Sequence, residues 1–436
     1  MSGTPAAARR GERLAWALYD FANSAFVTLV VTFIYSFWFT KAMVDDPVQG
    51  TRLWTRGVAA SALLVAVLSP LLGVLADRRA TRRRWFVGLT LGAIAGTATL
   101  AFVPPPHAML ALAVFVLTNT LYELGQVFYN AFLPGLADNE DVGRVSGNAW
   151  ALGYLGGLLC LVCGFLFTGL PGTGLEPLLS TDAGWNIRAT NLLVAGWFLV
   201  FAIPALLLLR EPAPPDPNAS ANLLRALRGL VRFPQALRLL VARLIYNDGL
   251  VAAFAFGGIY AGVTFGFDFG EIILFGIWLN VAAGLGAWLF GFVDDRVGGR
   301  TTVLWSLAGL FVAALAVAAA PGRPALWAAG TLLGLLVGPN QSASRSLMAR
   351  FLPRQKTAEF FGLFALSGKI TAFLGPWLLG EVTAWTGSQR WAVASVSAFF
   401  LVGLVLVLFV DERRGILDAD EEERRLAALR APENAP

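Results

Sequence analysis

The sequence predicts an all-α integral membrane protein with twelve transmembrane helices in two pseudo-symmetric six-helix bundles. Of its 436 residues 57% are hydrophobic and only 14% are charged, whereas a soluble domain carries about 25% charged residues. Twelve apolar runs are long enough for a helix of about 20 residues, the length that crosses a bilayer. Features of the first half also return in the second half at a nearly constant offset.

The apolar runs set the order of the spans. An even number of spans places both termini on one side of the membrane. On that side lie 24 of the 33 Lys and Arg residues, against six in the opposite loops. Cytoplasmic loops are enriched in these residues, so both termini are predicted to be cytoplasmic. The predicted spans cover 14–40, 53–76, 85–103, 108–133, 146–170, 187–209, 237–262, 270–293, 301–320, 324–349, 358–385 and 391–410.

A polar segment divides the spans into six and six. Residues 211–236 begin with a Pro-rich linker and continue, over 221–233, with Leu and Arg at helical spacing. This pattern is typical of an amphipathic helix on a membrane surface. The predicted organisation is an N-terminal bundle over 1–210, a cytoplasmic linker over 211–236, a C-terminal bundle over 237–410 and a cytoplasmic tail over 411–436.

Several classes of protein are excluded by composition. The chain has one histidine, His107, and two cysteines, Cys160 and Cys163, in one apolar run. Neither a metal site nor a Ser-His triad is expected. A phosphate-loop-like stretch over 362–371 has one spacer residue too many. The net charge of +5 falls in clusters between apolar runs. We therefore predict no catalytic residues, no metal, no cofactor and no nucleic-acid partner; the partner is the lipid bilayer.

Two motifs occur once in each half. Gly73-Val-Leu-Ala-Asp77-Arg78 follows the second span, and Gly291-Phe-Val-Asp-Asp295-Arg296 follows the eighth, 218 residues later. Phe132-Leu-Pro134 and Phe351-Leu-Pro353 follow the fourth and tenth spans. Internal repeats of this kind are typical of transporters with a central site between the halves.

The first motif continues as Arg79-Ala80-Thr81-Arg82-Arg83. It resembles the loop signature of the major facilitator superfamily, with Ala80 at a position where that family usually has glycine. The first span, Trp16-Ala-Leu-Tyr19-Asp20-Phe-Ala-Asn23-Ser24-Ala25-Phe26, is similar to the vacuolar effluxer-like family, the autophagy-related amino-acid effluxers and their bacterial relatives. The compact loops and the Ala- and Arg-rich composition fit a bacterial member in the cell (inner) membrane.

The resemblance implies that spans 1, 4, 7 and 10, with 2, 5, 8 and 11, line a central cavity. The charges agree with this division, because an ionised group in hydrocarbon costs about 2.5–3.5 kcal/mol or more and is kept where it faces water or a partner. The five interior charges that we single out lie in spans 1, 4, 7, 10 and 11: Asp20, Glu123, Asp248, Arg345 and Lys369.

In the first half, polar residues follow one helix face of spans 1 and 4. Asp20 begins a track that continues at steps of four through Ser24, Thr28, Thr32 and Ser36. The track lines the cavity, or its hydroxyls bond back to the preceding turn. Glu123 or Asp20 is expected to carry a proton; fixed ion pairs are the alternative. The expected substrate contacts in this half are Tyr19, Asn23, Tyr122 and Gln126.

In the second half, Lys369 near the middle of span 11 is expected to bind a substrate carboxylate or to pair with a carboxylate of the first half. Asp248 and Arg345 are expected to pair with each other, as a structural salt bridge or as a gate. Further expected substrate contacts are Asn247, Asn340 and Gln341.

Two latches are predicted at the cytoplasmic ends of spans 2 and 8, from Asp77 with Arg78 and from Asp295 with Arg296. A carboxylate there can accept hydrogen bonds from a neighbouring helix N-terminus and pair with arginine.

The predicted function is secondary active transport of a small solute, an amino acid, by alternating access, with proton-coupled export and a monomeric protein. Two alternatives stay open. One is transport of sugars, drugs or other metabolites, and the other is a membrane receptor or scaffold that transports nothing.

Overall fold

The computed structural model describes residues 6–169, 174, 176–211, 213–215 and 229–429. Within these residues every regular element is a helix. A π-helical segment, Phe26–Phe33, joins the first two helices. The helices are α1 Ala6–Ala25, α2 Tyr35–Ala42, α3 Pro47–Arg79, α4 Arg82–Leu100, α5 Ala108–Ala131, α6 Leu133–Leu136, α7 Val142–Thr168, α8 Trp185–Arg188, α9 Thr190–Leu208, α10 Pro234–Phe265, α11 Phe269–Val297, α12 Gly299–Ala319, α13 Arg323–Arg350, α14 Thr357–Lys369, α15 Leu374–Thr386, α16 Gln389–Leu408 and α17 Glu412–Ala428.

Ten segments of the described chain are long and apolar enough to cross a membrane. This confirms an all-α membrane protein. Helices α4 and α13 coincide with the predicted third and tenth spans but are not among the ten, so the count of twelve stays a prediction. The ten segments are Arg9–Ala42, Pro47–Arg79, Ala108–Leu136, Val142–Thr168, Asp182–Leu208, Pro234–Phe265, Gly270–Val297, Gly299–Ala319, Arg354–Thr386 and Gln389–Leu408.

We call α1–α9 the first half and α10–α16 the second half. The halves meet mainly where α3 packs on α14 and where α7 packs on α11. Under the 218-residue repeat, α3 corresponds to α11 and α7 to α14, so the two contacts are equivalent. Both need very small residues, because a Cβ on Gly73 would collide with the carbonyl of Ala358 and a Cβ on Gly147 with the carbonyl of Ala287.

Two helices are interrupted near the middle of the bundle. The first span changes to π-helical geometry over Phe26–Phe33, and the eleventh span breaks between Lys369 and Leu374. π-Helical turns and discontinuous transmembrane helices occur frequently at functional sites.

The described parts of the linker and of the tail lie at the end of the bundle where α7 and α14 begin. Most of the predicted amphipathic helix over 221–233 lies outside the described residues. In the tail, Glu412 accepts hydrogen bonds from the backbone N–H groups of Gly299 (3.0 Å) and Arg300 (2.9 Å), at the start of α12. Glu422 pairs with Lys356 Nζ at 2.8 Å. The tail helix α17 is thereby attached to the second half.

Ala80, the first residue after α3, is in the left-handed region with φ 49° and ψ 53°. Glycine adopts this conformation freely, whereas a Cβ makes it unfavourable. This explains why a glycine suits the motif at this position.

Candidate functional site

An ion pair between the halves lies at the centre of the bundle. Lys369 Nζ donates to Glu123 Oε1 over 2.6 Å. The side chains of Lys369 and Glu123 are 31% and 23% exposed, so both are partly buried. Lys369 ends α14 at the helix break, and Glu123 lies on α5. Of the two expected roles of Lys369, the structure shows the pair with a first-half carboxylate.

Asn23 links spans 1 and 4 through side-chain hydrogen bonds. Asn23 donates to the carbonyl of Tyr19 (2.8 Å) and to Asp20 Oδ1 (3.3 Å). Tyr122 donates to Asn23 Oδ1 over 3.1 Å. The Tyr19 hydroxyl pairs with Thr90 of α4 at 2.9 Å, so it is directed into the first half.

Asp20 and Arg345 form a second ion pair across the halves, at 3.0 Å between Oδ2 and Nη1. The Arg345 side chain is only 4% exposed. Its guanidinium group also donates to Ser146 and lies 4.7 Å from the ring centroid of Trp16. The expected pairing of Arg345 with Asp248 is therefore wrong. The pairing was predicted because Asp248 and Arg345 lie at similar depth in their spans, but the Arg345 side chain faces the first half.

In the second half, Asn247 donates to the carbonyl of Gly368 over 3.0 Å. Asp248 is 1% exposed, and Thr371 Oγ1 lies 3.2 Å from its Oδ1. Arg243, on the same helix, donates to the carbonyl of Phe364 over 2.8 Å and stacks on its ring. These contacts hold α10 against the broken eleventh span.

The remaining predicted contacts are not brought together in one place. Asn340 is fully buried and donates to Ser306 of α12 over 3.1 Å. Gln126 is partly buried, and its Nε2 has no hydrogen-bond partner among the described atoms. Gln341 is partly buried as well. In span 1, Thr28 and Ser36 bond back to the carbonyls four residues earlier, which is the alternative role for the hydroxyl track.

The two predicted latches are carboxylates of one half that bind the helix start of the other half. Asp77 accepts from the backbone N–H groups of Ala358 (3.2 Å) and Glu359 (2.8 Å), in the first turn of α14. Asp295 accepts from the N–H of Arg144 over 3.1 Å, in the first turn of α7. A helix N-terminus carries partial positive charge, so both contacts are favourable.

The arginines of the latches differ from the predicted ones. Arg78 and Arg296 are exposed. Asp77 pairs instead with Arg82, which is fully buried and also donates to the carbonyl of Gln355 over 2.7 Å. The run Arg82-Arg83-Arg84 resembles ordinary cytoplasmic charge, so nothing in the sequence distinguishes its first member.

Two further contacts near the latches were missed. Arg350 pairs with Asp294 at 2.6 Å, both nearly fully buried. The signal available in the sequence was the doubled Asp294-Asp295, in which one carboxylate binds the first half and the other stays in the second. The second contact is between Arg82 Nη1 and Glu211 Oε1 of the linker, at 3.2 Å. Burial raises the pKa of Glu211, although the hydrogen bond from the Arg83 backbone and the charge of Arg82 act to lower it.

The inter-half contacts described above lie on one side of the Glu123–Lys369 pair, toward the beginning of α7 and α14. Ser146 donates to the carbonyl of Ser342 over 2.8 Å and closes the same region. At that end the halves are therefore joined by buried polar contacts, whereas the central pair of Glu123 and Lys369 is partly exposed. An arrangement of this kind can hold a charged solute between two halves that separate alternately at either end.

Comparison with known proteins supports this interpretation. Residues 48–420 match the family described as vacuole effluxer Atg22 like. The chain is 25% identical to the uncharacterized MFS-type transporter YxiO of Bacillus subtilis (strain 168), over 91% of this chain and 94% of that protein. It is 22% identical to autophagy-related protein 22 of Coccidioides immitis (strain RS), over 85% of this chain and 74% of that protein.

Solved structures show the same fold. The crystal structure of the major facilitator superfamily transporter FucP in the outward conformation has a TM-score of 0.72 at 14% identity and covers 92% of this chain and 98% of that one. The human organic anion transporter MFSD10 has a TM-score of 0.75 at 14% identity and covers 93% and 100%. The resemblance expected from the first span is confirmed: the chain is a membrane transporter that belongs to the vacuole effluxer Atg22-like family of the major facilitator superfamily.

Proposed function

We propose that this transporter exports amino acids by alternating access with proton coupling. The observation that carries the proposal is the partly exposed ion pair of Glu123 and Lys369, one from each half. An amino acid has a carboxylate and an ammonium group. It can replace the pair by offering its carboxylate to Lys369 and its ammonium group to Glu123. A sugar has no charge with which to compensate either side chain, so the pair favours amino acids over sugars.

The substrate site that we propose combines this pair with neutral polar groups on α1, α5, α10 and α13. Its members are Tyr19, Asn23, Tyr122, Gln126, Asn247, Asn340 and Gln341, with Lys369 as the anchor for the carboxylate. Tyr19 and Asn340 make their contacts within their own halves, so their role is to orient the helices of the site.

Proton coupling is proposed for Glu123 and Asp20. Each is an acidic group held by a cation of the other half. Protonation removes the attraction and allows the halves to separate, so a proton taken up by either carboxyl group favours the alternate state. The latches of Asp77 and Asp295, with Arg82 and Arg144, hold the end where α7 and α14 begin.

The proposed membrane arrangement has twelve spans, with α4 and α13 as the two additional ones. They contain 19 and 28 residues, or about 28 and 42 Å at 1.5 Å per residue, against a hydrocarbon core of about 30 Å. Arg84 near the start of α4 and Arg323 at the start of α13 are exposed and can extend to the headgroups. In this proposal both termini lie in the cytoplasm of a bacterial cell and the exporter is a monomer.

Purified protein reconstituted in liposomes tests the proposal. A thermal-shift screen of amino acids, sugars and peptides at two pH values first identifies the solute. We expect Lys369→Met to weaken its binding by at least about tenfold, which is about 1.4 kcal/mol. Lys41→Met, at the exposed end of α2, is the matched control. Unchanged affinity in Lys369→Met would remove this lysine from the site.

Coupling is tested separately. The Glu123→Gln, Asp20→Asn double variant is expected to lose solute accumulation driven by a pH gradient. Full pH-dependent accumulation in that variant would refute the assignment of the proton to these carboxyl groups. Stabilisation by sugars alone would favour the alternative solutes. A lack of solute binding together with a lack of transport would favour a receptor or scaffold.

A further inference from the structure

Asp248 of α10 is a buried acidic side chain without a counter-charge. The residue is 1% exposed, and its Oδ2 has no hydrogen-bond partner among the described atoms. No described lysine or arginine forms an ion pair with it. An ionised carboxylate in such a place costs several kcal/mol of desolvation, about the penalty that buried ions pay without a partner. The other intramembrane carboxylates of the centre, Asp20 and Glu123, each have a cation.

The hydrogen bonds of Thr371 indicate which form of Asp248 is present. Thr371 Oγ1 lies 3.1 Å from the carbonyl of Leu244 and 3.2 Å from Asp248 Oδ1. A hydroxyl group has one proton to donate. If Asp248 is ionised, both neighbours are acceptors and one of the two contacts is unmade. If Asp248 is protonated, its O–H donates to Thr371 Oγ1, and Thr371 donates to Leu244, so both contacts are satisfied.

The cations on the helices around Asp248 make their contacts with other groups. On α10 itself, Arg243 donates to Phe364 and Ser367. The acidic groups of α14 and α15 are Glu359 and Glu381. Five cations of the helices packed on α10 are engaged elsewhere: Lys369 with Glu123, Arg345 with Asp20, Arg350 with Asp294, Arg323 with Glu271, and Arg390 with the carbonyls of Ala318 and Ala320.

We propose that Asp248 carries a proton in this conformation and is the proton-holding site of the second half. Thr371 lies two residues after Lys369, in the break between α14 and α15. When the proton leaves to water, Thr371 Oγ1 loses the O–H donor of Asp248, and a carboxylate appears beside the break. This carboxylate then competes with Glu123 for Lys369. Nothing is oxidised or reduced; one proton moves and one ion pair changes its partner.

Infrared spectroscopy of the purified protein tests the protonation without any substrate. A protonated carboxyl group gives a C=O stretching band that a carboxylate lacks. We expect this band near neutral pH in the wild type, its loss in Asp248→Asn, and its retention in Asp45→Asn, an exposed loop residue. Thr371→Val should shift the band to higher frequency because the hydrogen bond is lost, so the test holds even where Asp248→Asn folds poorly.

Two results would overturn the proposal. One is a band that Asp248→Asn leaves unchanged or that the wild type lacks. The other is stabilisation of the wild type, but not of Asp248→Asn, by sodium chloride over choline chloride at equal ionic strength, since this would make the site a sodium site.

The coupling role rests on the proposed transport and has its own measurement. In liposomes, Asp248→Asn should lose accumulation driven by a pH gradient but retain exchange of solute in counterflow. If the wild type shows neither accumulation nor counterflow but does show the infrared band, transport of that solute is refuted and the protonation of Asp248 is still supported. Accumulation by Asp248→Asn equal to that of the wild type would refute its part in coupling.

Discussion

Lys369 Nζ of the second half lies 2.6 Å from Glu123 Oε1 of the first half, at the level where the eleventh span is broken. Because the two residues belong to different halves, the distance between their charged groups changes whenever the halves move relative to one another. Its partial exposure also makes it the ion pair that a charged solute can reach. The pair is therefore both a contact that holds one conformation and the place where a substrate can replace that contact.

A double-mutant cycle should show that these two charges interact. Glu123→Gln and Lys369→Met each leave one charge unpaired, and we expect each to destabilise the protein by about 1–2 kcal/mol, between the values for exposed and buried pairs. The double variant should lose less than the sum. The measurement is thermal unfolding in detergent, with Lys41→Met as control. Strict additivity would show that the pair contributes nothing.

The Asp20–Arg345 pair should be more sensitive because it is more buried. Asp20→Asn leaves the guanidinium group of Arg345 without a counter-charge at 4% exposure, so we expect a loss of about 3–5 kcal/mol. Adding Arg345→Gln should restore part of the stability. Ser24→Ala, one turn from Asp20, is the control. A single variant that unfolds at the wild-type temperature would contradict this expectation.

The corrected latch distinguishes two neighbouring arginines. Arg82 is fully buried against Asp77, whereas Arg78 is exposed. The test uses a variant in which Cys160 and Cys163 are replaced and the buried Ser342 is changed to cysteine. This cysteine reacts with a maleimide when the halves separate, so the labelling rate measures the opening. We expect Arg82→Gln to increase the labelling rate several-fold and Arg78→Gln to leave it unchanged. Equal rates in both variants would remove Arg82 from the latch.

Replacing Ala80 by glycine should stabilise the protein. With a φ of 49°, Ala80 is in a left-handed conformation that costs a residue with a Cβ about 1–2 kcal/mol. Glycine avoids this cost but loses about 0.5–1 kcal/mol more in backbone entropy on folding. A net gain of about 0.5–1 kcal/mol should raise the unfolding temperature. Ala42→Gly, exposed in the last turn of α2, should lower it. A decrease in Ala80→Gly as well would contradict the strain.

The sequence was sufficient for features that depend on spacing along the chain. Apolar runs placed the helices, and the 218-residue repeat identified Asp77 and Asp295 as equivalent residues. Lys369 stood out because a lysine inside an apolar run needs a partner or water. The partners of the buried charges could not be predicted in this way. Whether Arg345 contacts Asp248 or Asp20 depends on how the helices are rotated relative to one another. Likewise, Arg82 differs from Arg83 only in the direction it faces, and no local pattern records that direction.

The reciprocal latches have a consequence for the origin of the chain. The acid of one half holds the start of α14, and its counterpart in the other half holds the start of α7 in the same way. This is the geometry of an isologous contact, in which each surface is complementary to a second copy of itself. Two separate copies of a single ancestral half could have assembled through these same contacts before a gene duplication joined them.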